Sequence, residues 1–400
     1  MGPKKTVFVA VFVFLLLFPF LTGNAQANTE VYLFRLQMNG DSVRLSDPRN
    51  ISNNEGYDNQ PSFYDENSVL FAATRDGQTD ILKFNIEEGS TSSWISDTPT
   101  GSEYSPLRIP ATDEVSAIRL DIDGLQRLYR YNTDNGTSEL LVPKMKIGYQ
   151  LWYAPDILVF TVLSQDKMDL WMTDFTKGTS KMLQKNVGRS LQKIPNTNLI
   201  SYTSATDQVL ELRSIDPISG KTSTITDLKD IQDVCWLPDG SLVAGKGKRI
   251  YRMIISENAE WEPLQAFTDT NINAISRIAV NTSGTRLAFV AETSPETIVQ
   301  KQLDACNRRD IDAFVATFSD DVAVYEFPNK LSYKGVTELR NRYSAFFEKT
   351  GNLHSKIVKR MVIGNKVIDE EEVTANDAIF KVVAVYEVAE GRIRKMTFIR

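Results

Sequence analysis

Asp80-Ile81-Leu82-Lys83-Phe84 is a short strand pattern that recurs along the first two thirds of the chain. Measured from Ile81, its later copies follow at steps of 47, 42, 40 and 40 residues, centred on Leu128, Leu170, Leu210 and Ile250. A period of about 40 residues filled with short strands is typical of a β-propeller blade. The pattern therefore predicts a ring of four-stranded blades.

The last repeat contains only two strands, at residues 275–280 and 286–290. Two further strands are predicted near the start of the chain, at residues 31–36 and 42–45, joined by the turn Asn39-Gly40. Asn-Gly is a favoured hairpin turn because both residues tolerate positive φ. We therefore expect six blades, the sixth being completed by the N-terminal hairpin so that no strand edge is left open.

Residues 1–27 have the features of a secretory signal peptide. Lys4 and Lys5 precede an apolar run at residues 7–21, and Ala25-Gln26-Ala27 is a small-x-small cleavage site. The alternative is an uncleaved membrane anchor, although the run is shorter than the ~20 residues that a span needs. We expect an exported protein, periplasmic or secreted, without a stable membrane span after cleavage.

The charge distribution argues against nucleic-acid binding. The formal net charge is −6, and residues 295–400 carry 17 lysines and arginines against 16 acids, so neither part has a basic stripe. His354 is the only histidine, which argues against a histidine-based zinc site or hydrolase, and we expect no metal or cofactor. Cys235 and Cys306 each lie in an apolar stretch, and we expect both to be buried and unpaired.

The pattern changes at Ser294, an N-cap residue that precedes Pro295 and Glu296. Apolar spacing then predicts helix, helix, strand and helix, followed by strands at residues 355–363, 366–374, 377–388 and 392–400. The expected fold class is multidomain, an all-β propeller plus an α+β domain. The expected segments are a signal peptide at 1–27, a propeller at 28–294 and a cone-shaped domain at 295–400.

The first full blade resembles the TolB-like, WD40-like six-bladed propeller repeat. The resemblance rests on Asp58-Asn59-Gln60-Pro61-Ser62-Phe63, Val69-Leu70-Phe71, Arg75-Asp76-Gly77 and Asp80-Ile81. It implies a rigid interaction platform, with a protein or glycan partner at one face or in the central channel.

Residues 295–400 resemble the SnoaL-like branch of the nuclear transport factor 2 superfamily. The motifs are residues 307–314, Phe318-Ser319-Asp320-Asp321-Val322, Lys334-Gly335, Val367-Ile368-Asp369 and Tyr386-Glu387-Val388. The resemblance implies a curved sheet around helices with a pocket for a small, often apolar ligand. It also implies that this domain can serve as a homodimerisation module.

Steroid-isomerase relatives use a carboxylate base and acidic donors to move a proton beside a carbonyl. When the two sequences are matched by their order of helices and strands, the position of the base corresponds to Glu326. The tyrosine donor corresponds to Gln302, and the second donor lies near Ala384. The resemblance thus implies Glu326 as the catalytic base of any such reaction. The pocket is expected to be lined by Phe318, Tyr343, Phe346, Phe380, Ala384 and Tyr386.

An acidic run, Asp369-Glu370-Glu371-Glu372, stands where relatives often have a histidine. It suggests either an acidic rim with weak cation affinity or, as we expect, a solvated strand end. Two hypotheses about function remain. The first is a non-enzymatic binding protein. The second is an enzyme of the cyclase, isomerase or hydratase type, acting on a small apolar carbonyl compound with Glu326 as base.

Overall fold

A computed structural model of the chain describes residues 28–40, 42–87, 91–165, 167–206 and 209–399. The predicted signal peptide at residues 1–27 lies outside the described residues. Within them, six four-stranded antiparallel sheets precede a six-stranded sheet that is packed against three helices. The predicted fold class, a six-bladed β-propeller followed by an α+β domain, is confirmed.

The chain starts with a hairpin, β1 (Thr29–Asn39) and β2 (Ser42–Asn50). Five sheets of four consecutive strands follow. Their strands are β3 (Asn59–Asp65), β4 (Ser68–Arg75), β5 (Gln78–Asn85) and β6 (Ser92–Trp94); β7 (Gly101–Arg108), β8 (Val115–Asp121), β9 (Gln126–Tyr131) and β10 (Ser138–Val142); β11 (Ile147–Ala154), β12 (Ile157–Ser164), β13 (Lys167–Asp174) and β14 (Thr179–Gln184); β15 (Val187–Lys193), β16 (Ile200–Thr206), β17 (Val209–Ile215) and β18 (Thr222–Lys229); β19 (Cys235–Trp236), β20 (Leu242–Lys246), β21 (Arg249–Met253) and β22 (Glu262–Ala266).

The sixth sheet joins the two ends of the propeller sequence. Its strands run in the order β2, β1, β24 (Arg286–Glu292) and β23 (Asn273–Val280), and β1 pairs antiparallel with β24. β1 is apolar on both faces: Val31 and Leu33 pack towards the first blade, whereas Tyr32 and Phe34 pack towards the fifth. Burial of both faces explains why this hairpin is held in the ring although it is remote in sequence.

Tryptophans join neighbouring blades at two equivalent places. Trp152 Nε1 donates a hydrogen bond to Ser116 Oγ, and Trp236 Nε1 donates to Ser201 Oγ, each at 2.8 Å. Each bond links the first strand of one blade to the second strand of the preceding blade. Trp94, by contrast, is exposed and stacks under the Arg75 guanidinium.

The C-terminal domain wraps one mixed sheet around its helices. The sheet order is β26, β25, β30, β29, β28 and β27, with the β25–β30 pair parallel. The elements are α1 (Pro295–Arg308), α2 (Ile311–Val315), β25 (Phe318–Glu326), β26 (Lys330–Lys334), α3 (Val336–Lys349), β27 (Leu353–Ile363), β28 (Lys366–Ala375), β29 (Ala378–Ala389) and β30 (Arg392–Ile399). The short strand β26 was not predicted. No helix in the described part of the chain is long and apolar enough to cross a bilayer.

The start of α1 follows the predicted capping pattern. Ser294 Oγ accepts a hydrogen bond from the Glu296 amide at 3.4 Å, and Pro295 occupies the first turn. Cys235 and Cys306 are free and buried, as expected. Burial raises the pKa of each thiol to about 12, so both stay protonated at neutral pH.

Polar contacts between described residues connect the propeller to the C-terminal domain and its linker. Thr297 Oγ1 donates to Asn271 Oδ1 at 2.6 Å, and the Thr293 amide donates to the Asn28 carbonyl at 3.0 Å. The Arg392 guanidinium pairs with Glu55 at 3.1 Å. The C-terminal domain therefore lies beside the first and sixth blades.

Candidate functional site

A cavity of about 120 Å³ lies in the C-terminal domain between α1, α3 and the inner face of the sheet. Its wall is mostly aliphatic and aromatic, and Phe346 and Phe380 are partly exposed at its edge. The polar members of the lining are Gln302, Cys306, Tyr343, Ser355, Glu371 and Tyr386.

The acidic run lies within β28 and does not form a solvated strand end, so that expectation was wrong. Successive side chains of a strand face opposite sides of the sheet. Here Val367, Asp369, Glu371 and Val373 are buried on the inner face, while Glu370 and Glu372 are only half-buried. Two carboxyl groups are therefore carried into the domain interior by strand alternation.

Glu371 is the carboxyl group that lines the cavity. Ser355 Oγ donates to Glu371 Oε2 at 2.6 Å, and Tyr386 Oη donates to Glu371 Oε1 at 3.0 Å. Burial raises the pKa of Glu371, while the hydrogen bonds from Ser355 and Tyr386 act in the opposite direction. The net result is a carboxyl group whose pKa lies above its ordinary value in a largely apolar cavity.

Asp369, the other inward acid, is neutralised by a cation. Arg360 makes two hydrogen bonds of 2.7 Å to the Asp369 carboxylate, and its remaining terminal nitrogen donates to Gln300 Oε1 at 2.8 Å. The hydrogen bond to Asp369 raises the pKa of Arg360. Bidentate pairing of this kind explains how a charge can be buried here, and it leaves Glu371 as the acid available to a ligand.

Two residues on α1 support the polar side of the cavity, Asn307 from behind its wall and Gln302 within it. Asn307 holds the Ser355 backbone with two hydrogen bonds, accepting from its amide at 2.7 Å and donating to its carbonyl at 2.9 Å. Gln302 is buried, and its Oε1 atom has no hydrogen-bond partner among the described residues. A buried acceptor without a partner is unfavourable unless a ligand or water supplies a donor.

Four of the residues expected to line the pocket do so: Tyr343, Phe346, Phe380 and Tyr386. Phe318 and Ala384 are fully buried in the domain core and do not line the cavity. Glu326 is the last residue of β25, half-buried, in register with Phe398 of β30, and does not line the cavity either.

Ser355 and Glu371 were missed as site residues. The signal for Glu371 was present, because it shares the phase of Val367 and Val373 in an alternating strand. Nothing in the sequence marked Ser355. Among the described residues, no group of three or more His, Cys, Asp or Glu side chains is arranged to hold a metal ion.

Comparison with known families settles the nature of the C-terminal part. Residues 299–396 match the SnoaL-like domain family. They form a SnoaL-like domain. A comparison with curated proteins gives no match.

Solved structures resemble each part separately. A candidate TolB from Agrobacterium tumefaciens is 11% identical, covers 67% of this chain and 99% of that chain, and has a TM-score of 0.51, which shows a TolB-like propeller fold. An uncharacterized cystatin-fold protein from Novosphingobium aromaticivorans is 26% identical over 27% of this chain and 99% of that chain, with a TM-score of 0.26. A candidate ketosteroid isomerase from Kribbella flavida is 20% identical over 26% of this chain and 76% of that chain, with a TM-score of 0.24.

Proposed function

We propose that this protein is a two-domain binding protein whose SnoaL-like domain holds one small, largely apolar molecule that carries a hydrogen-bond donor. The observation that carries the proposal is the cavity wall, in which the buried Glu371 carboxyl group and the unpartnered Gln302 Oε1 atom are surrounded by apolar side chains. A few convergent polar groups in an apolar cavity are the usual composition of a small-molecule site.

The dimensions of the cavity restrict the ligand. Its volume is about 120 Å³, and an engineered apolar cavity of about 150 Å³ accommodates benzene. Gln302 Oε1 requires a donor, while the Ser355 and Tyr386 hydroxyls already donate to Glu371. The ligand class that fits is therefore a single ring or short branched chain bearing a hydroxyl group.

Calorimetric titration of the full-length protein with phenol and with toluene tests this ligand class. We expect phenol to bind about tenfold more tightly than toluene, since one satisfied buried acceptor is worth about 1–2 kcal/mol. Gln302→Met should remove that preference. Glu372→Gln, one residue from Glu371 on the outer face of β28, is the matched control and should change nothing. Equal affinity for both probes, or no binding of either, contradicts the proposal.

Proton transfer is a second candidate function, favoured by the raised pKa of Glu371 beside the Tyr386 hydroxyl. Under this second proposal, the protein is an enzyme of the cyclase, isomerase or hydratase type that acts on a small carbonyl compound. Exchange of the α-protons of cyclohexanone with D2O, followed by NMR, gives the readout.

The two carboxyl groups can be separated by substitution in that assay. Glu371→Gln should abolish catalysed exchange and leave binding of the ketone intact. Loss of exchange in Glu326→Gln instead would make Glu326 the base. Absence of exchange by the unsubstituted protein would reject the enzymatic candidate and leave the binding function.

We propose that the chain is exported, to the periplasm or the medium, and that the propeller serves as a platform for a protein or glycan partner. Support comes from residues 1–27 and from the ring closed by β1, which keeps the six blades in a fixed arrangement. Mass spectrometry of the exported protein should find Asn28 as its first residue. An intact N-terminus would contradict cleavage.

Self-association through the outer face of the C-terminal sheet is also proposed. Met361 lies opposite Ile368, and Ile368 lies opposite Val385, so an apolar row crosses three adjacent strands on that face. Sedimentation should show a homodimer that Val385→Asp dissociates. Ile122→Asp, at a highly exposed position of the propeller, is the control.

A further inference from the structure

The propeller has a central channel lined by the innermost strand of each blade or, in the fifth blade, by Asp233 and Val234 just before it. A narrow part of about 120 Å³ is lined by residues from all six blades, and it opens into a mouth of about 850 Å³ that shares Gln60, Ser105, Tyr149, Arg189 and Arg277 with it. The mouth lies within the range of about 300–1,000 Å³ that is usual for ligand sites.

A repeated local arrangement places aromatic and basic side chains at this mouth. In two blades a glycine packs against a threonine of the second strand, and the next residue is a tyrosine. The amides of Tyr57 and Tyr149 donate to the hydroxyls of Thr74 and Thr161, at 2.8 and 2.9 Å. A Cβ atom on Gly56 or Gly148 would approach those hydroxyls to 2.7 or 2.8 Å, so a larger residue does not fit. In the fourth blade the corresponding residues are Gly188, Arg189 and Thr203.

The channel floor carries two guanidinium groups and one carboxylate. Arg189 binds Asp233 through two nitrogens, one of them at 2.9 Å. Arg277 approaches the same carboxylate only to 3.5 Å, donates to the Tyr149 hydroxyl at 3.3 Å and lies over the Tyr149 ring. One carboxylate compensates one of the two cations, so a positive charge remains at Arg277.

The positive charge at Arg277 is opposite in sign to the net charge of the propeller. Residues 28–294 carry a formal charge of −9, and the two further charged residues at the mouth, Lys229 and Asp230, cancel each other. A cation in a concave, partly desolvated site attracts anions more strongly than one on an open surface. The channel is therefore the place on the propeller where an anion is favoured.

The wall above the floor is apolar on one side. Leu120, Leu163, Met168 and Leu210, from the second, third and fourth blades, face the mouth. Thr203 lies at its edge, and its hydroxyl, which is almost fully buried, has no hydrogen-bond partner among the described residues. An apolar wall above a single excess cation matches a ligand that is apolar along its length and carries one negative charge at its end.

We propose that the mouth of the propeller channel binds a molecule with an apolar chain that ends in a carboxylate, with the carboxylate on Arg277 and the chain along the wall of Leu120, Leu163, Met168 and Leu210. The single excess charge favours a monoanion over a phosphate dianion. A fatty acid and the C-terminus of an apolar peptide share this chemistry. The site is separate from the cavity of the SnoaL-like domain and does not depend on it.

Calorimetric titration of the full-length protein at pH 7 tests the site with two acids and their uncharged counterparts. The probes are octanoate against octan-1-ol, and N-acetyl-Leu-Leu against its C-terminal amide. We expect at least one acid to bind about tenfold or more tightly than its counterpart, the effect of one charge-assisted hydrogen bond. Binding of octanoate alone assigns a fatty acid, and binding of the dipeptide alone assigns a peptide C-terminus. Binding of neither acid overturns the proposal.

Substitutions locate the bound carboxylate. Arg277→Gln should lower the affinity for the acid about tenfold and remove the preference over the uncharged probe. Arg35→Gln, at an exposed arginine paired with Asp47 on the sixth blade, is the matched control. Leu120→Glu adds a negative charge to the mouth without altering the Arg189–Asp233–Arg277 cluster. It should lower the affinity for the acidic probe by a similar factor. Unchanged affinity in folded Arg277→Gln or Leu120→Glu protein overturns the proposal. Glu371→Gln should have no effect on this site.

Discussion

The two cavities of the molecule differ in size, in charge and in the way the chain builds them. The cavity of the SnoaL-like domain is about 120 Å³ and has a buried carboxyl group in an apolar wall. The channel mouth of the propeller is about 850 Å³ and has an excess cation on its floor. A negatively charged ligand is therefore disfavoured in the first and favoured in the second, and ligand charge should separate the two sites.

The difference follows from local backbone geometry. In the SnoaL-like domain, the alternation of β28 carries Glu371 inward, and the helix residue Asn307 fixes its donor Ser355. In the propeller, glycines at the inner strands allow the chain to pass close to the next strand, which directs Tyr57 and Tyr149 to the mouth. The first site depends on one sheet and two helices, whereas the second depends on the closure of the whole ring.

The largest expected effect is the loss of the propeller when its closing hairpin is removed. Deleting residues 31–45 removes the partner of β24 and the buried side chains of β1. We expect the propeller's unfolding transition and binding at the channel mouth to disappear, while the SnoaL-like domain keeps its own transition and its cavity. Differential scanning calorimetry and the two titrations measure this. An unchanged calorimetric trace would refute the role of the hairpin in closure.

The converse change is made in the core of the SnoaL-like domain. Phe314 is fully buried and contacts the rings of Phe318, Tyr343 and Phe347 at centroid distances of 5.1, 4.3 and 5.6 Å. Phe314→Ala should destabilise this domain by about 3–5 kcal/mol and weaken phenol binding. It should leave the acid site of the propeller intact.

Phe327→Ala is the control for that substitution. Phe327 is exposed, so its truncation should change the stability by less than about 0.5 kcal/mol. Equal destabilisation by both variants, measured by urea unfolding, would show that Phe314 does not support the cavity.

The ring could be predicted from the sequence because a blade is a local unit, so the period of Ile81, Leu128, Leu170, Leu210 and Ile250 directly reflects the architecture. The half-length last repeat likewise pointed to the start of the chain. The floor of the channel could not be predicted, since Arg189 and Asp233 are 44 residues apart. Only the arrangement of blades around the axis brings them together.

The site of the SnoaL-like domain was predicted in part for a similar reason. Tyr343, Phe346, Phe380 and Tyr386 follow from the resemblance to a family with a pocket in this position. Glu371 was missed because four consecutive acids suggest solvent, and the phase of β28 relative to its neighbours is decided by long-range pairing. Sequence composition alone does not distinguish the inner from the outer acids.

A smaller effect is expected from pH, and it should be concentrated in the propeller. Burial raises the pKa of Asp58 to about 7 and that of Glu103 to about 7, and Glu103 accepts a hydrogen bond from Tyr131 at 2.9 Å. Both groups bind protons more tightly in the folded than in the unfolded chain. Their contribution to stability is complete below about pH 4 and is lost as the pH rises through about 7.

Urea unfolding between pH 5 and pH 8 measures this loss. We expect the propeller to lose stability between pH 5 and about pH 7, by about 1.4 kcal/mol per pH unit for each of the two acids, and Glu103→Gln to reduce the slope. Glu262→Gln, on the exposed strand β22, should leave the slope unchanged. A propeller that becomes more stable as the pH rises would contradict the assignment of these two buried acids.

The smallest effect concerns the contact between the two regions. Arg392 of the SnoaL-like domain pairs with Glu55 of the propeller at 3.1 Å, and both side chains are about half exposed. Exposed ion pairs contribute about 0–1 kcal/mol because solvent screens them and both side chains lose freedom. Arg392→Gln should therefore leave the affinities for phenol and for the acid within about twofold of the unsubstituted values. Titrating each probe in the presence of the other gives the sharper measurement. If saturation of one site changes the affinity of the second site by more than about twofold, the two cavities are coupled. Coupling through this contact should then be abolished by Arg392→Gln.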